Sequence, residues 1–72
     1  MQEESLYTLI GAKIKSLRES KGLTQTQVAD LCDFEKTTVS RIEVGKTNIT
    51  IKNLYKISKA LGVPMKELVD VD

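Results

Sequence analysis

Thr24-Gln-Thr-Gln-Val-Ala-Asp-Leu-Cys-Asp-Phe-Glu-Lys-Thr-Thr-Val-Ser-Arg-Ile-Glu-Val-Gly45 is the stretch whose reading decides the fold. Thr24 followed three residues later by Gln27 is a capping box, so a helix is expected to begin at Gln25. Val28, Ala29 and Cys32 then share one face at helical spacing. Asp33 and Phe34 break the pattern. A second helix restarts near Glu35 with Val39 and Ile42 facing inward, and Gly45 ends it as a C-terminal cap. Helices this short do not stand alone in water. They need a shared core, and the brief break between them predicts a helix-turn-helix over about residues 24–45.

The polar residues of the second of these helices, Lys36, Thr37, Ser40 and Arg41, project away from the Val39/Ile42 face. A short helix with small and basic residues outward can enter a DNA major groove. These four are the expected base contacts. Arg41 is the strongest of them, because its fork matches guanine O6 and N7, while Thr37 suits a thymine methyl. Gln25, at the start of its helix, can aim its amide at a phosphate. Thr38, Lys46, Thr47 and Asn48 are the further expected phosphate contacts, the last three lying just beyond Gly45.

Outward from this stretch the chain reads as helices only. A first helix is expected from about Leu6 to Lys21, with Ser5 as N-cap. Leu6, Ile10, Ile14 and Leu17 form its core stripe, and Lys13, Lys15 and Glu19 face solvent. Gly22 closes it and Leu23 fills the gap before Thr24. Thr50 caps a fourth helix over about Ile51 to Leu61, with Ile51, Leu54, Ile57 and Leu61 inward and Gly62 at its end. Pro64 suits the first turn of a short fifth helix through about Val69, with Met65 and Leu68 inward. The expected fold is all-α: five short helices in a compact orthogonal bundle.

The chain has 72 residues, which bounds it to one small domain spanning 1–72. Eleven basic and ten acidic side chains leave a net charge of +1, so overall charge argues little for nucleic acid. The distribution says more. Lys36, Arg41 and Lys46 gather near the proposed DNA face, whereas Glu3, Glu4, Glu67, Asp70 and Asp72 lie near the termini. A single cysteine excludes an internal disulfide, and the absence of histidine excludes an ordinary Cys/His zinc site. Cys32 on the apolar face is expected to pack inertly. No cofactor, metal or small-molecule ligand is expected. No membrane-spanning run occurs, and the acidic, polar N-terminus is unlike a signal peptide, so the expected location is the cytoplasm. An enzyme is a poor reading, since no histidine, interior carboxylate pair or phosphate-cradling glycine loop is present.

Four pieces, in order and at the right spacing, carry a resemblance. They are Ile10-Gly-x-x-Ile14-x-x-Leu17-Arg18, Gly22-Leu23-Thr24-Gln25, Val39-Ser40-Arg41-Ile42-Glu43 with Gly45-Lys46, and Leu54 through Leu61-Gly62-Val63. Together they resemble the lambda-repressor-like (Cro/XRE-type) helix-turn-helix family of bacterial and phage regulators, from about Ile10 to Leu68. The resemblance implies that Arg18 and Glu43 form an ion pair linking the first helix to the end of the recognition helix. It also implies a sequence-specific, DNA-binding transcription regulator, a homodimer on a palindromic operator. The chain is similar to the small controller proteins of restriction-modification systems, notably in the Asn48-Ile49-Thr50-Ile51-Lys52 loop, and a Cro-like repressor is equally compatible. The alternative is an antitoxin-type protein-binding module that also represses its own operon.

Three positions depart from the family pattern. Asp33 stands where the turn usually has glycine, Glu35 where a Ser or Thr usually caps the recognition helix, and Ile49 where proline is usual. Ile49, Met65, Val69 and Val71 are apolar residues left over after a small core is filled. They are the expected dimer interface.

Overall fold

The computed structural model describes residues 3–71, with side chains from residue 6, as α1 (Glu3–Ser20), α2 (Gln25–Cys32), α3 (Lys36–Glu43), α4 (Ile51–Leu61) and α5 (Met65–Leu68). Among the described residues there is no strand, and the all-α bundle expected from the sequence is the architecture found. No helix of the described residues is long and apolar enough to cross a membrane.

Local chemistry sets the boundaries. Thr24 Oγ1 accepts from the Gln27 backbone N–H at 3.0 Å, and Gln27 Oε1 accepts from the Thr24 N–H at 2.8 Å, so the capping box opens α2. Thr50 opens α4 by accepting from the Asn53 N–H at 3.0 Å. Glu35 occupies the N-cap of α3 but makes no side-chain cap bond. Its carboxylate can only favour the positive end of the helix dipole. Pro64 sits at the N-cap of α5, one position ahead of its first turn. Ser5 is not the N-cap of α1, because that helix already runs from Glu3; the position before Glu3 lies outside the described residues.

Four helices end in the same way. In each, the N–H of a left-handed residue just past the helix bonds to the carbonyl three residues back, and the next N–H bonds to the carbonyl five residues back. The bonds are Gly22 to Glu19 and Leu23 to Arg18, Asp33 to Asp30 and Phe34 to Ala29, Gly45 to Ile42 and Lys46 to Arg41, Gly62 to Lys59 and Val63 to Ser58. This is the Schellman arrangement, which requires a left-handed residue. Asp33 adopts it at φ 59°, ψ 43°, so the turn of the helix-turn-helix forms without glycine.

α1 packs on α3 and α5, α2 packs on α3 and α4, and α4 packs on α5. The core takes Ile10 and Ile14 from α1, Val28, Ala29 and Cys32 from α2, and Val39 and Ile42 from α3. Leu54, Ile57 and Leu61 come from α4 and Leu68 from α5. Leu17, Leu23 and Met65 lean on its rim. Two expected core residues are outside it. Ile51 is 72% exposed. At 3.6 residues per turn it lies roughly 90° around α4 from the centre of the Leu54/Ile57/Leu61 stripe. Leu6 is on the right stripe of α1 but 38% exposed. The end of α3 meets α1 at Thr8, against Gly45, so the first turns of α1 overhang the core.

α1 and α3 touch closely enough to need a glycine. A Cβ on Gly11 would collide with the carbonyl oxygen of Ile42 and lie 2.7 Å from that of Glu43. A glycine in mid-helix costs about 1 kcal/mol relative to alanine, and this contact is the packing reason for it.

Candidate nucleic-acid interface

α3 buries Val39, Ile42 and Glu43 and turns its other side to solvent. On that side Lys36, Thr37 and Arg41 are exposed, and Ser40 and Thr38 are half-buried. Among the described residues neither Lys36, Arg41 nor Lys46 makes an ion pair. Three cations are therefore held out by the fold without internal neutralisation. Asp30 and Asp33 are exposed at the opposite end of α2 from Gln25.

The carboxylate of Glu43 organises the other side of α3. Arg18 donates to it twice, Nε to Oε2 at 2.6 Å and Nη2 to Oε1 at 3.1 Å. The same guanidinium donates from Nη1 to the Leu23 carbonyl at 2.7 Å. Arg18 is 8% exposed and Glu43 5%. Donating to Glu43 raises the Arg18 pKa above its ordinary value against the opposing effect of burial, so the guanidinium stays charged. One buried, fork-to-fork pair thus joins α1, the α1–α2 turn and the last residue of α3.

Gln25 joins this group. Its Nε2 donates to Glu43 Oε1 at 3.0 Å, and the side chain is half-buried. From the sequence Gln25 is expected at the start of α2 with its amide free to meet a phosphate. Nothing in the local sequence signalled its link to a residue 18 positions away. The bond sets the first turn of α2 beside the last turn of α3.

Lys46 leaves α3 in a distinctive way. After the other three Schellman turns the next residue is Leu23, Phe34 or Val63, each packed against the core. After α3 it is Lys46, exposed. Gly45 at φ 75° cannot be replaced easily, because a Cβ would lie 2.7 Å from Thr8 Cα. The chain is therefore forced to present Lys46 and the exposed Asn48 just past the recognition helix. Thr47 is half-buried, its hydroxyl 3.4 Å from the Asn48 carbonyl. The structure brings Gln25 and the Lys46 loop to the same end of α3, with Lys36, Thr37, Ser40 and Arg41 between them and the α2–α3 turn.

Of the four residues expected at a dimer interface, Val69 is exposed, while Ile49, Met65 and Val71 are half-buried against the core of their own chain. Other apolar side chains stand out further, among them Leu31, Val44 and Ile51. Cys32 is buried, and burial pushes its thiol pKa up, with Lys56 opposing. That is the setting of an unreactive thiol.

The family model described as helix-turn-helix matches residues 14–68. The control protein C.BamHI of Bacillus amyloliquefaciens is 44% identical over 67 residues, which cover 92% of this chain and 83% of that protein. The control protein C.MunI of Mycoplasma sp is 44% identical over 59 residues, 81% of this chain and 80% of that one. The crystal structure of the restriction-modification controller protein C.AhdI from Aeromonas hydrophila has a TM-score of 0.85 at 31% identity, over 86% of this chain and 94% of that chain.

Proposed function

The chain belongs to the helix-turn-helix family of DNA-binding transcription regulators, and from that premise we propose that it is a controller-type regulator binding a palindromic operator as a homodimer. The observation that carries this is the α3 surface: Lys36 and Arg41 exposed and, among the described residues, without ion pairs, Thr37 exposed beside them, and Gln25 and Lys46 flanking one end.

Lys36, Thr37, Ser40 and Arg41 read base edges from the major groove. Gln25, Thr38, Lys46, Thr47 and Asn48 hold the sugar-phosphate backbone and fix the angle of entry. With a net charge of +1, one subunit offers few cations to phosphate, so affinity rests on two subunits engaging together. The dimer forms through α5 and its surroundings, with Val69 exposed and Ile49, Met65 and Val71 adding their outer edges. The protein represses by occupying its operator, works in the cytoplasm and catalyses no reaction. Its partners are double-stranded DNA and a second copy of itself.

The test is selection of bound sites from random duplex DNA. The expected result is an enriched site with dyad symmetry and half-sites about one helical turn apart, roughly 34–36 Å. Failure of the wild-type protein to shift any duplex at low salt would overturn the reading.

A further inference from the structure

Resting on this DNA-binding reading, we propose that Glu43 is a positioning residue for DNA: its buried carboxylate holds the Gln25 side-chain amide so that the amide's second N–H is offered to a backbone phosphate.

A primary amide has two N–H donors. One from Gln25 goes to Glu43 Oε1 at 3.0 Å. Among the described residues the Gln25 side chain has no other hydrogen bond, and it is only half-buried. That leaves its other donor without a partner among the described residues, on a side chain held at one end. An untethered glutamine would lose its rotamer freedom when it met DNA, whereas this one loses it when the protein folds.

The carboxylate itself cannot reach a phosphate, being 5% exposed. Left alone, its charge would repel one. Arg18 removes that objection by neutralising both oxygens, at 2.6 and 3.1 Å. The arrangement is a relay of hydrogen bonds in which a buried cation orients a buried anion, and the anion orients a neutral donor. Glu43 also ends α3, and Lys46 follows three residues later. One carboxylate thereby sets the spacing of two backbone anchors at the C-terminal end of the recognition helix.

The experiment compares Gln25→Ala in the wild-type protein and in an Arg18→Met/Glu43→Leu background, using random-sequence duplex across a salt series with thermal melts alongside. In the wild-type background Gln25→Ala should bind about tenfold more weakly, the effect of losing a hydrogen bond to a charged group. The salt slope should not change, because the amide carries no charge, and the melting temperature should stay close to wild type because both Arg18–Glu43 bonds remain. In the pair-replaced background the same change should cost threefold or less. An equal loss in both backgrounds, or no loss in the wild type, overturns the proposal while leaving the functional reading intact. Failure of the wild type itself to bind would defeat that reading instead. Should the pair-replaced protein not fold, nitrogen-15 relaxation of the wild-type Gln25 side-chain amide decides. An ordered amide before DNA is added, whose signal shifts on adding duplex, supports the proposal, and a freely mobile one overturns it.

Discussion

Arg18 and Glu43 are 25 residues apart in the chain, yet they share a buried, doubly hydrogen-bonded contact at 2.6 and 3.1 Å. Two charges are affordable in so small a core because each has its bonds complete. Arg18 spends its third donor on the Leu23 carbonyl and Glu43 takes a further bond from Gln25. No buried side-chain polar atom among the described residues lacks a partner.

Glu43→Ala is therefore expected to destabilise the protein by roughly 3–5 kcal/mol, since it strands a buried guanidinium. Replacing both partners, as Arg18→Met with Glu43→Leu, should recover much of that loss. Thermal melts of the two variants check this. A Glu43→Ala protein that melts like wild type would show that the pair is not buried in solution.

Gly11→Ala should destabilise by about 1–3 kcal/mol even though alanine is the better helix former. The added methyl would meet the Ile42 and Glu43 carbonyls. Urea unfolding measures it, and a more stable variant would mean that α1 and α3 stand further apart than described.

Asp33→Gly should stabilise by about 0.5–1 kcal/mol, because it removes the cost of a left-handed backbone at φ 59°. The denaturant midpoint should rise without a change in slope. A lower midpoint would assign the Asp33 carboxylate a stabilising role that its exposed position does not suggest.

Arg41→Ala and Lys46→Ala should fail differently. Arg41 lies on the solvent side of α3, and as the proposed base-reading residue its loss should cost about 1–3 kcal/mol on the selected site and little on random DNA. Lys46 lies past the Gly45 turn as a point charge, so its loss should weaken both duplexes alike and flatten the salt slope by about 0.9 per site. Equal weakening of both DNAs by Arg41→Ala would move Arg41 among the phosphate contacts.

Sedimentation at micromolar concentration should show a dimer, and Val69→Asp should shift it toward monomer while leaving the melting curve of each subunit largely in place. Val69 is exposed in the single chain and is not among the residues packed on its core. A wild-type protein that is monomeric both free and on DNA would remove the basis for the palindromic operator.

The sequence by itself determined the parts that local chemistry controls. The Thr24/Gln27 box, the Thr50 cap and the glycine stops could be read because each depends on a few adjacent residues. The helical spacing of Val28, Ala29 and Cys32, and of Val39 and Ile42, likewise marked the faces that meet. Tertiary structure decided how far the core reaches and what its edges do. Ile51 and Leu6 fit apolar patterns yet stay outside. A pattern records which side of a helix is apolar, whereas burial also needs a neighbouring element at that height and angle. The Gln25–Glu43 bond and the Gly11 contact with α3 join residues far apart in the chain, so no local window contains both partners. They form because α1, α2 and α3 are pressed together by the shared core, and that packing sets Gln25 of α2 and Arg18 of α1 against the last residue of α3.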